Sequence, residues 1–327
     1  MDEYRRKKVL VTGGLGFIGS NLAISLVQSG ASVTIVDSRE PSCGANEFNI
    51  EPIKADVEVV HGDVRDLDLM RKLVRARDFI FSLAGSVSHI ESMEDPFKDL
   101  QLNCVGPLTV LEACREANRE TPIVYSATRQ AYGRPQALPL IETHPMNPVD
   151  INGVNKLAGE TYHRIYHDAY GMNTVSLRLV NTYGPRQLVR HARQGFAGWF
   201  IKKAIEGEEI QVYGDGQQLR GFNFVDDVSL ALMTAGLREN TFGKAFNLGG
   251  QEPFTLECFV KLLLKTTGRG SYRMVPFPEE KKAIDIGSVY SSWALFNEAT
   301  GWSPQVSLQE GLKRTVDYYQ RYHAHYW

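Results

Sequence analysis

The chain has 327 residues, 43 % of them hydrophobic and 23 % charged, which suits one large globular domain or two unequal ones with a sizeable core. Thirty-six basic against thirty-eight acidic residues give a formal charge of −2, which excludes the strongly basic surface that nucleic acid or an anionic membrane would select. No apolar run approaches a membrane span, and Cys43, Cys104, Cys114 and Cys258 form no CxxC pair, so neither a metal site nor a disulfide framework is expected. The charged start lacks the apolar stretch of a secretory leader, and a cytoplasmic location is the expectation.

In chain order, short apolar strands alternate with longer helical patterns. Strands are predicted at Lys8–Thr12, Ser32–Asp37, Val57–Val60, Asp78–Leu83, Pro122–Ser126 and Asn173–Val180, and helices at Phe17–Ser29, Leu67–Ala76, Pro96–Ala117 and Val149–Ala169. This alternation is the mark of a doubly wound α/β fold of Rossmann type, a parallel sheet with helices on both faces. It spans residues 1–180, with 222–250 folding back against it. Residues 181–327 read as a smaller α/β domain for substrate: a helix at Arg193–Glu206, strands at Glu209–Tyr213, Phe222–Val225 and Ala245–Leu248, a helix at Asp226–Leu237, a Gly- and Pro-rich binding loop at Gly268–Gly287, and closing helices at Ser291–Thr300 and Ser307–Tyr322. The crevice between the two parts is the natural place for a ligand.

Gly13, Gly16 and Gly19 form G-x-x-G-x-x-G between the first strand and the first helix, with Phe17 and Ile18 opening that helix. Such a turn needs glycine for its tight backbone and for close approach of a pyrophosphate, whose charge the helix N-terminus attracts. The second strand ends in Asp37, eighteen residues after Gly19, where a carboxylate can bind ribose hydroxyls and repel a 2′-phosphate. NAD is therefore favoured over NADP, with Arg39 the one feature that argues otherwise. Asp63 and Val64 after the third strand are suited to the adenine, and Leu83-Ala84-Gly85 ends the fourth strand in small residues that admit a cofactor closely.

These residues, with Ser126-Ala127-Thr128-Arg129-Gln130-Ala131-Tyr132-Gly133, Asn155-Lys156-Leu157-Ala158-Gly159-Glu160, Asn181-Thr182-Tyr183-Gly184-Pro185 and the segment from Val212 to Val228, resemble the extended short-chain dehydrogenase/reductase family and its NAD-dependent sugar-nucleotide epimerases and dehydratases. The resemblance runs over nearly the whole chain. It implies that Thr128 holds the reacting sugar hydroxyl, that Lys156 is the catalytic lysine, that Asn103, Ser126 and Lys156 face the cofactor, and that Asn181 and Arg220 bind the substrate diphosphate. Lys282 stands where a second diphosphate arginine is usual, and Val212 is suited to flank the nucleobase. A homodimer through the helices at Pro96–Ala117 and Val149–Ala169 is implied as well.

The chain departs from this pattern at one decisive position. The family tyrosine that removes the hydroxyl proton should stand one helical turn before Lys156, and that residue is Asn152. An amide cannot serve as a base near neutral pH, although it can hydrogen-bond a sugar oxygen. His89, in the loop after the fourth strand, has a suitable ordinary pKa and is the leading alternative base; Tyr132, Asp150 and Glu91 are rivals. The expected activity is 4-epimerisation of a nucleotide hexose through a 4-keto sugar. Alternatives are decarboxylation, another isomerisation, a 4,6-dehydratase, which the Arg129-Gln130 pair disfavours because those enzymes carry Asp-Glu there, and a non-catalytic NAD and nucleotide-sugar binder. Arg186, Arg190, His191 and Arg193 form a basic cluster that either steers an anion or is a solvated face.

Overall fold

The computed structural model describes residues 2–40, 43–278 and 284–327. Seven strands form one parallel sheet: β1 (Lys8–Thr12), β2 (Ser32–Asp37), β3 (Val57–His61), β4 (Phe79–Ser82), β5 (Ile123–Thr128), β6 (Thr174–Leu179) and β10 (Ala245–Asn247), in the order β10-β6-β5-β4-β1-β2-β3. The central strands are buried on both faces, so they read as unbroken apolar runs. Strand order reverses at β1, which is flanked by β2 and β4, and ligands of such sheets bind outside the carboxyl ends at that switch point.

The helices are α1 (Phe17–Gln28), α2 (Leu67–Val74), α3 (His89–Glu94), α4 (Pro96–Leu100), α5 (Gly106–Ala117), α6 (Ile151–Tyr170), α7 (Phe196–Glu206), α8 (Val225–Leu237), α9 (Leu256–Thr267), α10 (Ala294–Thr300) and α11 (Leu308–Arg321). One core lies between the sheet and α1 with α8, holding Val9, Val11, Leu22, Leu26 and Leu232. A second lies on the opposite face under α2 and α5, holding Leu10, Met70, Val74, Val110 and Leu111. Asp66 and Asp150 cap α2 and α6 by accepting backbone N–H bonds from Leu69 and Gly153, and Gly171 ends α6 in the left-handed conformation.

The remaining strands are β7 (Asn181–Tyr183), β8 (Glu209–Tyr213), β9 (Leu219–Phe224), β11 (Pro253–Thr255) and β12 (Ser271–Val275), arranged as a β11-β9-β7 sheet and a β12-β8 pair. Their core includes Ile201, Ile210, Val212 and Leu312 and a stacked Phe222–Phe259 pair at 4.6 Å.

Three expectations change. The segment Pro96–Ala117 is not one regular helix: a π-turn at Gln101–Val105 separates α4 from α5 and carries Asn103. Part of the expected binding loop Gly268–Gly287 is the strand β12, paired in parallel with β8. Helix α9 was not foreseen, although Thr255 caps it, Leu256, Phe259, Val260 and Leu263 make its apolar stripe and Gly268 closes it.

Candidate active site

One cleft opens at the carboxyl ends of β1, β2, β4 and β5 and continues toward β7 and the start of α7. Its first half is built from backbone. Gly13, Gly16, Phe17, Ile18 and Gly19 line it where α1 begins, and no side chain caps that helix end, so the first-turn N–H groups are left for a ligand. Gly13 has φ +70°, and a Cβ on it would lie 2.9 Å from Ala84 Cα; a Cβ on Gly19 would lie 2.3 Å from the Gly13 carbonyl oxygen. Only glycine closes this turn.

Asp37 is buried at the end of β2, where Oδ2 accepts the Leu15 N–H at 3.0 Å and Oδ1 the Arg39 N–H at 2.8 Å. Burial pushes its carboxyl above the usual range, against the pull of those two donors. The side chain of Arg39 turns to Glu47, 2.8 Å away. Arg65, a second cation on this rim, is held bidentately by Asp63, whose carboxyl is lowered chiefly by that contact. Both arginines are thus committed to carboxylates, and Asp37, held only by backbone N–H groups at the adenosine end, matches an unphosphorylated ribose. Val64, Leu83, Ala84 and Gly85 line the same wall. Gly85 is required because a Cβ there would sit 2.5 Å from Asn103 Oδ1.

The second half of the cleft is built from side chains. Thr128 Oγ1 accepts the Gln130 N–H at 3.1 Å, which leaves its own proton free to donate into the cleft. Lys156 Nζ donates to the Ser126 carbonyl at 3.2 Å, and burial pushes this ammonium down to about 8 despite the attraction of Asp99. Ser126 itself lines the cleft. His89 opens α3 and also lines it; its Nδ1 lies 3.1 Å from Oδ2 of Asp150, whose side chain is fully buried. Burial raises the Asp150 carboxyl, but the imidazole, the Gly153 N–H and the Gln130 amide outweigh it and hold the group below its ordinary value.

Asn152, one helical turn before Lys156, is 2 % exposed. Its Nδ2 donates to the Ser86 carbonyl and to Asp99 Oδ2, both at 3.0 Å. Asp99 also accepts from Asn103 at 3.0 Å and from Asn155 at 2.8 Å, so three asparagine amides surround one buried carboxylate. Asp99 at the centre of this network is not legible in the sequence, and the half-buried Arg129, noted there only as an argument against a dehydratase, lines the cleft as well. Of the rival bases, Tyr132 is buried and committed to Asn247 and Arg178, and Glu91 is bridged to Arg193 at 3.3 Å.

On the substrate side, Asn181 lines the cleft, donating to the Gly221 carbonyl at 2.9 Å and accepting from Arg129 at 3.2 Å. Arg220 lies close enough to Arg129 for their charges to repel, and contacts the Gly287 carbonyl and Asp285. One reading needs correction. Val212 is fully buried among Ile210, Phe222 and Phe259, because the alternation along β8 turns it inward, so it does not flank a nucleobase. Of the two readings of the basic cluster, the solvated face fits better than anion steering: Arg190 and Arg193 are exposed, Arg186 bonds Asn49 and Asn21, Arg190 bonds the Tyr326 carbonyl and Arg193 bridges to Glu91 and Glu94. Lys282 lies outside the described residues.

Residues 9–249 match the NAD dependent epimerase/dehydratase family. The chain belongs to this family. A similar member is a putative UDP-glucose 4-epimerase of Methanocaldococcus jannaschii, 32 % identical over 95 % of this chain and 97 % of that one. Among solved structures, an epimerase of Methanothermobacter thermautotrophicus superposes with a TM-score of 0.92 at 29 % identity, over 99 % of this chain and 95 % of its own. The UDP-glucose 4-epimerase of Thermotoga maritima, solved with UDP-glucose, gives 0.86 at 29 % identity over 96 % and 99 %. The cofactor of this epimerase/dehydratase is NAD, and the glycine cradle, the open helix end and the carboxylate at Asp37 fit it.

Proposed function

We propose that the chain is an NAD-dependent nucleotide-sugar epimerase acting at C4 of a hexose, with His89 as its general base. The observation that carries this reading is His89, its Nδ1 3.1 Å from Asp150, lining the same cleft as Thr128, Lys156 and Asn152. With Nδ1 3.1 Å from the Asp150 carboxylate, Nε2 is the nitrogen left to accept a proton. His89 takes the C4 hydroxyl proton and returns it, Thr128 donates to the same oxygen, and Asn152 offers its amide oxygen, since its nitrogen is engaged by Asp99 and Ser86. The glycine turn at Gly13–Gly19 and Asp37 would hold NAD, which would supply reversible hydride exchange with C4. Lys156 keeps a cation beside the Ser126 carbonyl at the cofactor wall.

In this reading residues 1–180 hold the cofactor and 181–327 the sugar nucleotide, with Asn181 and Arg220 at the diphosphate. A cytoplasmic homodimer completes it. Phe97 and Leu100 on α4 and Val154 and Ile165 on α6 are exposed, Phe97 by 77 %, an apolar set suited to burial against a second copy. The solution mass decides that point.

The activity is tested by incubating purified protein with UDP-, GDP-, CDP- and dTDP-hexoses and separating the products. Conversion of one hexose to its C4 epimer, without net change in NAD, is the expected result. Binding without conversion of any sugar overturns the enzyme reading.

A further inference from the structure

Arg129 follows Thr128 directly and reaches the cleft beside it. Its Nη1 donates to Gln130 Oε1 at 3.0 Å and its Nη2 to Asn181 Oδ1 at 3.2 Å, both neutral amide oxygens, while Nε is buried without an acceptor. A guanidinium has five N–H donors in a fixed plane. Two neutral acceptors leave it short of bonds and without countercharge, and among the described residues no carboxylate forms an ion pair with it. Burial and then the neighbouring Arg220 push Arg129 down to about 9, with Asp150 pulling weakly the other way. Arg220 is itself deeply placed, and its nearest acid, Asp285, is 3.9 Å away. A cation held in this state is stabilised by an anion that enters with the ligand.

The position of the side chain narrows what that anion is. Gln130 Oε1 accepts from Arg129, Gln130 Nε2 donates to Asp150 Oδ2 at 2.8 Å, and the same oxygen faces His89. Arg129 therefore stands at one end of a four-residue chain whose other end is the proposed base. Asn181 joins it to the wall formed by β7 and β9.

We infer that Arg129 binds an anionic oxygen group of the substrate at the sugar end of the cleft, either a carboxylate on the ring or the diphosphate oxygens next to it. This rests on the nucleotide-sugar reading above. Intact NAD-loaded protein and its R129Q and R129K variants are titrated by calorimetry with UDP, UDP-glucose and UDP-glucuronate, and with the CDP, GDP and dTDP counterparts. The expected result is at least a tenfold loss of affinity in R129Q and a smaller loss in R129K, which keeps the charge without the fork.

A loss confined to the hexuronate assigns the carboxylate. An equal loss for the free nucleotide diphosphate and both its sugars assigns the diphosphate. Less than twofold change on every ligand that the wild type binds overturns the inference and leaves the nucleotide-sugar reading standing, as does a loss on the neutral hexose alone. Failure of the wild type to bind any of these ligands overturns both. Melting temperatures accompany each titration, and if R129Q is poorly folded R129K decides: a loss of twofold or more in either of these ligand patterns supports the inference, and less than twofold overturns it.

Discussion

The two halves of the cleft are made of different material. At the cofactor half, recognition is written in backbone: three glycines whose missing side chains are the feature, an uncapped helix end and one carboxylate held by two N–H groups. At the chemical half it is written in side chains that depend on one another, Asn152 on Asp99, His89 on Asp150 and Arg129 on Asn181. A backbone cradle tolerates no replacement. A side-chain network can be rebuilt around other partners, and the proposed base His89 beside an intact glycine turn is what that asymmetry would allow.

The sharpest way to break the comparison is Gly19→Ala. The new Cβ would meet the Gly13 carbonyl oxygen at 2.3 Å and Gly14 Cα at 2.9 Å, atoms that cannot yield without opening the turn. Purified variant is expected to carry no NAD, with affinity lower by on the order of a hundredfold or more, about 3 kcal/mol. Absorbance of the nucleotide released on denaturation measures it. Wild-type NAD content would mean that the cradle is softer than the backbone implies.

His89→Gln tests the other half. Loss of a general base is expected to lower kcat by roughly 10²- to 10⁴-fold while NAD content stays unchanged. Asp150→Asn keeps the cap on α6, since asparagine caps as well as aspartate, and is expected to lower kcat by a smaller factor. Turnover of the His89 variant at the wild-type rate would hand the proton to another group.

Asn152→Tyr restores the family residue and asks whether the network still accepts it. The phenol cannot give the two N–H bonds that the amide gives to Ser86 and Asp99, and an unsatisfied buried acceptor costs about 1–3 kcal/mol. The expected outcome is a lower urea midpoint and no rise in turnover. A faster enzyme would show that the ordinary proton path was only interrupted.

What the sequence revealed follows the same division. The glycine turn and Asp37 are local patterns, legible because each residue's duty is set by backbone within a few positions. Thr128 and Lys156 were expected from the resemblance of their segments to the family's motifs, and both line the cleft. Asp99 was invisible because two of its partners lie 53 and 56 residues away, and only folding brings them together. Arg186, Arg190 and Arg193 read as a cluster along the chain, yet each is bonded to groups of the protein itself that lie far away in sequence. Val212 was misplaced for a simpler reason: the alternation along β8 assigns it to the core together with Ile210.

The smallest expected effect concerns Lys156, where the two halves meet. Burial holds its ammonium near 8, whereas in the unfolded chain the group titrates near its ordinary value of 10.5. Between those limits the unfolded state binds more protons than the native one, so the contribution of Lys156 to stability rises with pH across that window and is lost as pH falls through 8. The comparison is wild type against Lys156→Met, by urea unfolding at pH 8 and pH 9 with NAD content matched. The wild type is expected to gain about 1 kcal/mol relative to the variant over that unit. Parallel curves at both pH values would mean that the lysine is charged in the native protein throughout, with Asp99 and the Ser126 carbonyl solvating it as well as water does.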